Sequence, residues 1–296
     1  MNGSFLDDAD AGVSLRDAGL LHGAGVFTTM RATAGSIFQL AEHLVRLRGS
    51  CDALGTPLPY ADEVLTHAAI ELLGRNNLSD SRLRLTVTRG AITVDPAEGP
   101  RSTPNVFLTA GPFESYPAAY YEKGMTVMLV DEQKLNPYDI QAGHKTLDYF
   151  SRLAALREAS RRGAGEALWF NIHNYLQSGS ISNVFIVENQ KLLTPPTAAD
   201  LRTAAVAREV PYSKSNVLPG IVRAAVIEQA AKLDIEVIRP SIDVNRLLES
   251  REVFLTNSIM GVMPVCRIER KAIGDEKPGP VTRAITSAIQ ALQASQ

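Results

Sequence analysis

The order of helix-like and strand-like segments constrains the fold of this chain more than any other feature of its sequence. Apolar residues recur at helical spacing from Leu40 to Leu54 and over Asp62 to Leu73. Strand-like patterns surround them at Gly25 to Arg31, Arg82 to Thr88 and Val106 to Thr109. Because strands and helices do not alternate regularly, a parallel Rossmann sheet is disfavoured and an α+β fold is predicted. Phosphate-binding motifs of the GxGxxG and GxxxxGKS type are absent from the sequence.

The second half of the chain continues this mixed order. The stretch from Ala110 to Gly124 breaks both periodicities and predicts a linker, so we predict two domains, residues 1–115 and 116–296. Helices are predicted to begin at Phe150, Gly220 and Val281. Residues 197–217 are polar and Ala-rich, which indicates an insertion or a mobile loop. Strands are predicted at Met125 to Val130, Ala167 to Asn171, Asn183 to Val187, Glu236 to Ile238, Val253 to Thr256 and Val265 to Ile268.

Composition narrows the class of protein. A chain of 296 residues with 45% hydrophobic and 21% charged residues is typical of a soluble globular protein. Its formal charge of -2 lacks the basic surplus of nucleic-acid-binding proteins, so the expected partner is a small molecule. No apolar run approaches the roughly 18 residues of a membrane span, and the acidic N-terminus is unlike a signal peptide, so a cytoplasmic location is expected. Cys51 and Cys266 are expected to be buried thiols, and no metal site is expected.

Lys145 is the first candidate for a catalytic residue. It lies in AGHKTLDYF, between a predicted strand and a predicted helix and outside any run of charges. A single lysine is usually a solvated surface charge. Partial burial of this amine, however, would disfavour its charged form and make it nucleophilic near neutral pH, as a Schiff-base lysine requires.

Three other segments offer what a phosphate-bearing cofactor needs. Arg46, in EHLVRL, could present a guanidinium fork to a phosphate group. The segment LPGIVR places Gly220 and free backbone N–H groups at a predicted helix start, which is a ready anion site. Thr256 to Ser258 end a predicted strand with hydroxyl and amide donors. Each segment alone is more simply explained as a surface helix, a turn or a loop.

Together these segments resemble the fold-type IV pyridoxal-phosphate enzymes, a family of branched-chain aminotransferases, D-amino-acid aminotransferases and 4-amino-4-deoxychorismate lyases. The matching motifs are DAGLLHGAGVFTTMRA, EHLVRL, HKTLDYF, SGSISNVFIV with LLTP, LPGIVR and EVFLTNSIMGVMPV, from near Gly12 to about Ile268. The resemblance implies pyridoxal 5′-phosphate as the cofactor and a homodimer. It also implies a small N-terminal α/β domain and a larger C-terminal pseudo-barrel domain, with the cofactor between them.

The resemblance further implies roles for individual residues. Lys145 would hold the cofactor as a Schiff base and then act as the general acid and base at the substrate carbon. Tyr149 would face the phenolic oxygen of the cofactor. The phosphate group would be held by Arg46, Ile221, Val222, Ser258 and Ile259.

Two features favour a lyase over an aminotransferase. Aminotransferases of this family usually carry a glutamate where Thr28 stands in GVFTTMR, and EVFLTNSIMGVMPV is more similar to the lyases. Thr28 or Thr29 would then assist proton transfer or position the substrate. Arg31, Arg84 and Arg89 are candidates for binding the carboxylates of a dianionic substrate, although alternating charges on a strand usually form a solvated face.

Ser178 departs from the family pattern. The family motif EGSxSN places a glutamate five residues before its asparagine, which is Asn183 in this chain, and that position is Ser178. The family glutamate keeps the pyridine nitrogen of the cofactor protonated so that the ring accepts electrons, whereas a serine shares only a neutral hydrogen bond. The neighbouring Gln177 is expected to point to the opposite face of the strand. A weaker electron sink would disfavour transamination more than prompt β-elimination.

The leading hypothesis is therefore a lyase that converts 4-amino-4-deoxychorismate to 4-aminobenzoate and pyruvate, a step of folate synthesis. The first alternative is a class IV aminotransferase acting on branched-chain or D-amino acids. The second alternative is an altered homologue that binds a ligand or partner, or that uses the fold without the cofactor. Ser178 favours this second alternative, whereas Lys145 and Arg46 oppose it.

Overall fold

Two units make up the chain in the computed structural model, which describes residues 1–95 and 99–295. The first unit consists of Met1–Glu114 and His144–Tyr149, and the second consists of Ser115–Gly143 and Phe150–Ser295. The sequence prediction had placed residues 144–149 in the second domain. They belong to the first unit because their backbone pairs with a strand of that unit.

The first unit is built on a four-stranded antiparallel sheet. Its strands lie in the order β2, β1, β3, β4, and helices α2 and α3 contribute to its core. The elements of this unit are α1 Ala18–His22, β1 Gly25–Thr33, β2 Ser36–Ile37, α2 Leu40–Ala53, α3 Asp62–Arg75, β3 Ser81–Asp95 and β4 Gly99–Pro112, after a short 3-10 helix at Asp8–Asp10.

Side chains of β1 alternate between two faces of this sheet. One face joins the buried core with apolar residues of α2 and α3, namely Val26, Met30, Ala32, Leu44, Leu47, Leu65 and Leu73. Phe27, Thr29 and Arg31 alternate with the core residues of β1 and so lie on the opposite face. In the register with β3, Thr29 is opposite Arg84. The two faces therefore separate the apolar core from a more polar surface.

The second unit contains a nine-stranded sheet and six helices among its described residues. Its strands lie in the order β10, β9, β8, β11, β12, β5, β6, β7, with β13 pairing to β12. The elements are α4 Ala118–Lys123, β5 Met125–Leu129, α5 Phe150–Arg161, β6 Glu166–Phe170, β7 Leu176–Gly179, β8 Asn183–Glu188, β9 Lys191–Leu193, α6 Ala204–Ala207, α7 Ile221–Lys232, β10 Val237–Ile238, α8 Val244–Glu249, β11 Glu252–Asn257, β12 Gly261–Ile268, β13 Lys271–Ala272 and α9 Pro280–Ala294, with a 3-10 helix at Asp200–Arg202.

Strand directions in this larger sheet are mixed. The pairs β10/β9, β12/β5 and β5/β6 are parallel, and the remaining pairs are antiparallel. Every residue of β6 is buried, as is nearly every residue of β8, so both faces of the central strands are covered. Two curled sheets with helices of irregular order confirm the predicted α+β fold.

The two segments without periodicity contain regular structure. In the predicted linker, β4 extends to Pro112 and α4 occupies Ala118–Lys123. The predicted insertion at residues 197–217 contains the 3-10 helix and α6, and it packs a small apolar cluster that includes Tyr212. Its end is attached to β7, because the Asn216 N–H donates to Gln177 Oε1 at 3.2 Å.

Both cysteines, Cys51 and Cys266, are buried in apolar surroundings and form no disulfide. Across residues 1–95 and 99–295, no helix is both long enough and apolar enough to cross a membrane.

Candidate active site

Backbone pairing places Lys145 beside β1. The Phe27 N–H donates to the Lys145 carbonyl at 2.9 Å, and the Leu147 N–H donates to the Gly25 carbonyl at 2.9 Å. Gly25 is required at this position, because a Cβ would come within 2.7 Å of the Val87 carbonyl oxygen. The lysine segment thus forms a short antiparallel extension of the sheet, which fixes the direction of the Lys145 side chain.

The Lys145 amine lies between two aromatic rings. Its Nζ donates to Tyr149 Oη at 3.1 Å, and it lies 4.6 Å from the Phe27 ring centroid and 5.2 Å from that of Tyr149. The two rings meet edge to face with their centroids 5.5 Å apart. Aromatic faces attract the ammonium form while excluding much of the water around it. Lys145 and Tyr149 are therefore brought together as the sequence motif indicates.

Arginines gather on the same face of the sheet as Phe27. We call this the arginine face, and it comprises Phe27, Thr29 and Arg31 of β1 with Arg82 and Arg84 of β3. The Arg84 guanidinium carbon lies 3.5 Å from the Phe27 ring centroid, and its Nε donates to Thr86 Oγ1 at 3.2 Å. Burial, and then the charge of Arg82, lowers the pKa of Arg84. Stacking on Phe27 thus holds a positive charge next to the ring that Lys145 also contacts.

Two further arginines carry buried donors. The guanidinium carbon of Arg31 lies 4.0 Å from the Phe113 ring centroid. The Nε atoms of Arg31 and Arg89 are buried and have no hydrogen-bond partner among the described residues. The backbone N–H of Arg89 donates to the Ala24 carbonyl. Arg89 lies at the point where the β3/β4 register shifts, between Thr88 and Ala91. Unpaired buried donors are costly, and these two Nε atoms are of this kind.

Thr28 lies on the other face of β1, with no exposed surface. Its Oγ1 accepts a hydrogen bond from Arg46 Nη2 at 3.0 Å and lies 2.6 Å from His43 Nδ1. Because a guanidinium can only donate, the Thr28 hydroxyl directs its own hydrogen to His43. The Thr28 hydroxyl is thus engaged in orienting Arg46, whereas Thr29 lies on the arginine face.

His43 was not identified from the sequence, although it lies three residues before Arg46 on α2 and therefore on the same side of that helix. Burial, followed by the charges of Arg46 and Lys145, holds the pKa of His43 well below its usual value. The neutral ring can then accept from Thr28 through Nδ1. Burial also lowers the pKa of Arg46 to about 10, so that its guanidinium stays charged at neutral pH.

Stability is expected to fall below about pH 6.5 because of His43. The folded chain resists protonating this ring, whereas the unfolded chain takes up a proton near the usual pKa of 6.5. The free energy of unfolding should therefore decrease by up to about 1.4 kcal/mol per pH unit as the pH falls through this region. His43→Asn keeps an acceptor for Thr28 without a titrating group and should flatten this dependence, as measured by urea unfolding at several pH values.

The exposed His67, which pairs with Glu71 on α3, provides the matched control. His67→Asn is measured in parallel, so that removal of a buried histidine is compared with removal of an exposed one. Burial also lowers the pKa of His144, so this residue adds a pH dependence of the same sign to the stability of wild type and of both variants. Equal slopes for wild type and His43→Asn would contradict the assignment of a neutral His43.

In the second unit, the start of α7 presents backbone N–H groups. The first N–H groups of a helix, here those of Ile221 and Val222, have no acceptor within the helix. Asn183 Nδ2 donates to the Leu218 carbonyl at 3.0 Å, and a Cβ at Gly220 would clash with Asn183 Oδ1. The close approach of Asn183 therefore requires glycine at the helix start.

The end of β11 supplies hydroxyl groups next to this helix start. Thr256 is opposite Asn183 in the β8/β11 register, and its Oγ1 is buried without a hydrogen-bond partner among the described residues. Ser258 follows in the turn to β12 and is half-exposed. Asn257 Oδ1 accepts from the Ile259 and Met260 N–H groups at 2.8 and 2.7 Å. The Ile259 N–H is thus engaged by this turn, while the Thr256 hydroxyl is a donor that fits a phosphate group. Ser258 adds a second hydroxyl in the same turn.

Ser178 lies on β7, opposite Trp169 of β6, and is buried. Arg152 of α5 directs its Nη1 towards the turn that follows Ser178. This nitrogen lies 3.4 Å from Ser178 Oγ, 3.0 Å from the Gly179 carbonyl and 3.1 Å from the Ser180 carbonyl. Arg152 was not identified from the sequence, since its position in the first turn of a helix carries no motif of its own.

The turn after Ser178 is also supported by the buried carboxyl group of Glu166. Its two oxygens accept from the Ala167, Ser180 and Ile181 N–H groups and from the Ser182 hydroxyl, at 2.9–3.2 Å. Burial raises the pKa of Glu166, and these four donors act in the opposite direction. Glu166 thus fixes the backbone on which Ser178 stands.

Comparison with known proteins identifies the family. The family model described as amino-transferase class IV matches residues 25–268, which is most of the chain. This chain is a member of the class IV aminotransferase family.

Related class IV proteins match over nearly the whole chain. A putative branched-chain-amino-acid aminotransferase of Methanocaldococcus jannaschii is 31% identical over 96% of this chain and 92% of its own length. The structure of an Escherichia coli branched-chain amino acid aminotransferase superposes with a TM-score of 0.87 at 27% identity, over 98% of this chain and 92% of that one. A 4-amino-4-deoxychorismate lyase from Pseudomonas aeruginosa gives 0.79 at 25% identity, over 95% of each chain.

These similarities confirm the predicted fold-type IV architecture and pyridoxal 5′-phosphate as the cofactor of this class IV chain. The residues present fit the phosphate group of that cofactor, because the α7 start and the unpartnered Thr256 hydroxyl form a site made of donors. Relatives of both reaction types share the fold. Family membership therefore establishes an enzyme of this class and does not by itself distinguish a lyase from an aminotransferase.

Proposed function

We propose that this class IV enzyme is a lyase that converts 4-amino-4-deoxychorismate to 4-aminobenzoate and pyruvate. The arginine face carries the proposal. The substrate has two carboxylates, and Arg31 and Arg84 lie on the face of β1 and β3 that also presents Phe27 to Lys145. Guanidinium groups bind carboxylates with paired, charge-assisted hydrogen bonds. A branched-chain amino acid, with one carboxylate and an apolar side chain, has less use for two such arginines.

Each candidate residue has a role in this reaction. The bound cofactor supplies the carbonyl that takes the substrate amine and a ring that accepts electrons. Lys145 removes the proton from the substrate carbon that bears the amine. It then returns this proton to the departing pyruvate group as the substrate ring becomes aromatic. Tyr149 orients the Lys145 amine through their hydrogen bond. The phosphate group is bound by Arg46, Ile221, Val222 and Ser258.

An aminotransferase acting on branched-chain or D-amino acids is the second candidate. The Methanocaldococcus jannaschii relative and the Escherichia coli structure, both named as branched-chain aminotransferases, favour it. This candidate predicts a half-reaction, in which an amino acid alone converts the bound cofactor to its amine form and removes the visible absorbance band. The lyase leaves the cofactor unchanged after each turnover.

The test is pyruvate release from 4-amino-4-deoxychorismate, followed with a lactate dehydrogenase couple. The proposal predicts one pyruvate and one 4-aminobenzoate per substrate consumed. Turnover of an amino acid with a 2-oxo acid, without pyruvate release from this substrate, would reject the lyase in favour of the aminotransferase.

Arg84→Met is expected to raise KM for the dianionic substrate by about 10- to 100-fold, since a charged hydrogen bond is worth roughly 1.5–3 kcal/mol. Methionine keeps an apolar chain over Phe27 and removes the charge. Arg75→Met, on the exposed side of α3 where Arg75 pairs with Glu71, is the matched control and should leave KM unchanged. An unchanged KM in Arg84→Met would exclude Arg84 from substrate binding.

A further inference from the structure

We propose that Ser178 and Arg152 hold the ring nitrogen of the cofactor in its unprotonated form, with Ser178 donating a hydrogen bond to it and Arg152 acting as a positioning residue. The proposal rests on the cofactor of the family and on the match of Ser178 to the glutamate position. It does not depend on whether the reaction is elimination or transamination.

The direction of one hydrogen bond carries the argument. A guanidinium has five N–H donors and no acceptor, so in the contact with Arg152 the Ser178 oxygen must accept. The Ser178 hydrogen is then directed away from Arg152. No hydrogen bond from this hydroxyl to another described residue is present, and the side chain is buried. An unprotonated ring nitrogen is an acceptor that would satisfy it.

A protonated ring nitrogen would produce the opposite result. A protonated ring nitrogen could only donate to the Ser178 oxygen, which already accepts from Arg152. The Ser178 hydrogen would then need an acceptor other than the ring nitrogen and Arg152. The Gly179 and Ser180 carbonyls beside it already accept from Arg152, so the Ser178 hydrogen would have to share one of these occupied oxygens. The Arg152 cation would also repel a second positive charge close to Ser178, which disfavours the protonated ring nitrogen. The arrangement therefore shifts the ring nitrogen towards its neutral form.

Neighbouring polar groups do not replace the missing glutamate. The Glu166 oxygens already accept from four donors, namely the N–H groups of Ala167, Ser180 and Ile181 and the hydroxyl of Ser182. Gln177 donates to the Leu176 carbonyl at 2.9 Å and accepts from the Asn216 N–H, so its amide is directed to residues 215–216. Two charged groups contact this turn, Arg152 from α5 and Glu166 from β6.

A neutral ring is a weaker acceptor for the electron pair left when Lys145 removes the substrate proton. In the proposed lyase reaction, that pair would instead form the new double bond of the substrate ring at once. The C–O bond would break with its electrons leaving on the pyruvate enolate, which would take up the proton held by Lys145. The Ser178–Arg152 pair would thus favour elimination over transfer of the amino group.

The test is the ¹⁵N chemical shift of the protein loaded with cofactor labelled at the ring nitrogen, recorded without substrate across a pH series. Wild type is expected to show the shift of an unprotonated pyridine at neutral pH. Ser178→Glu should move it to that of a pyridinium. Arg152→Met frees Ser178 to accept and should raise the apparent pKa of the ring nitrogen. Arg161→Met, at the exposed end of α5, is the matched control and should behave as wild type.

A pyridinium shift in the wild type at neutral pH would overturn the proposal. So would an Arg152→Met protein whose ring nitrogen titrates as in wild type, and this variant decides the matter if Ser178→Glu fails to fold. Because no substrate is present, failure of pyruvate release rejects the lyase while leaving this inference intact. Cofactor loading is checked separately by the visible band and its loss with borohydride.

Discussion

Replacing Lys145 with alanine is expected to abolish turnover and to remove the borohydride-sensitive visible band of the cofactor-loaded protein. In the proposed reaction, the Lys145 amine both links the cofactor and moves the proton of the substrate. General acid–base catalysis alone contributes about 10²- to 10⁴-fold, and loss of the covalent link adds to this effect. We therefore expect kcat to fall by at least about 10³-fold. Absorbance spectra and pyruvate release measure the two effects.

Lys123→Ala is the control, because Lys123 is an exposed lysine at the end of α4. It should keep the band and the turnover of wild type. Lys145→Ala should also unfold at nearly the same urea concentration as wild type, since its amine lies between aromatic rings outside the apolar core. A Lys145→Ala protein that still binds the cofactor covalently and turns over would refute the central assignment.

Glu166→Gln is expected to cause the largest loss of stability among single isosteric changes at this site. The glutamine amide offers one oxygen, and its NH₂ group would face N–H or hydroxyl donors that the carboxylate now accepts. Each buried donor left without an acceptor costs about 1–3 kcal/mol, so the free energy of unfolding should fall by roughly 2–4 kcal/mol. Urea unfolding of the cofactor-free protein measures this change.

Glu158→Gln provides the comparison at an exposed position, where Glu158 pairs with Arg162 on α5. Solvent screens this pair, so its loss should have little effect on stability. The Glu166→Gln protein should also bind the cofactor more weakly, because the turn that presents Ser178 loses its support. Equal stability of the two variants would show that the buried carboxylate is not required.

The fold was predictable where the periodic signal was long. The pattern from Leu40 to Leu54 corresponds to α2, and the helix predicted after Gly220 is α7. Strands β3 and β4 are longer than the patterns at Arg82 to Thr88 and Val106 to Thr109, because each extends by pairing with the other. The short strand β7 was not predicted, since four residues carry no resolvable period.

The candidate site was predictable where a motif holds the residues together. Lys145 and Tyr149 lie four residues apart in one motif, and their contact is seen. His43, Arg152 and Glu166 were missed, because each acts through partners whose importance appears only after folding. The sequence also could not separate Thr28 from Thr29, because either strand face could have been the buried one.

The sequence by itself determined the family and the cofactor, because ordered motifs of several residues carry that information without reference to distance. The same motifs nominated Lys145 as the catalytic residue, which stays a prediction. The sequence also marked Ser178 as a departure from the family. Only the tertiary structure shows the contact on which the proposed meaning of that departure rests, since Arg152 and Ser178 are 26 residues apart in sequence yet in hydrogen-bond contact. Whether the Ser178 hydroxyl donates or accepts depends on which donors and acceptors surround it in space. That arrangement exists only when α5, β6 and β7 are packed together.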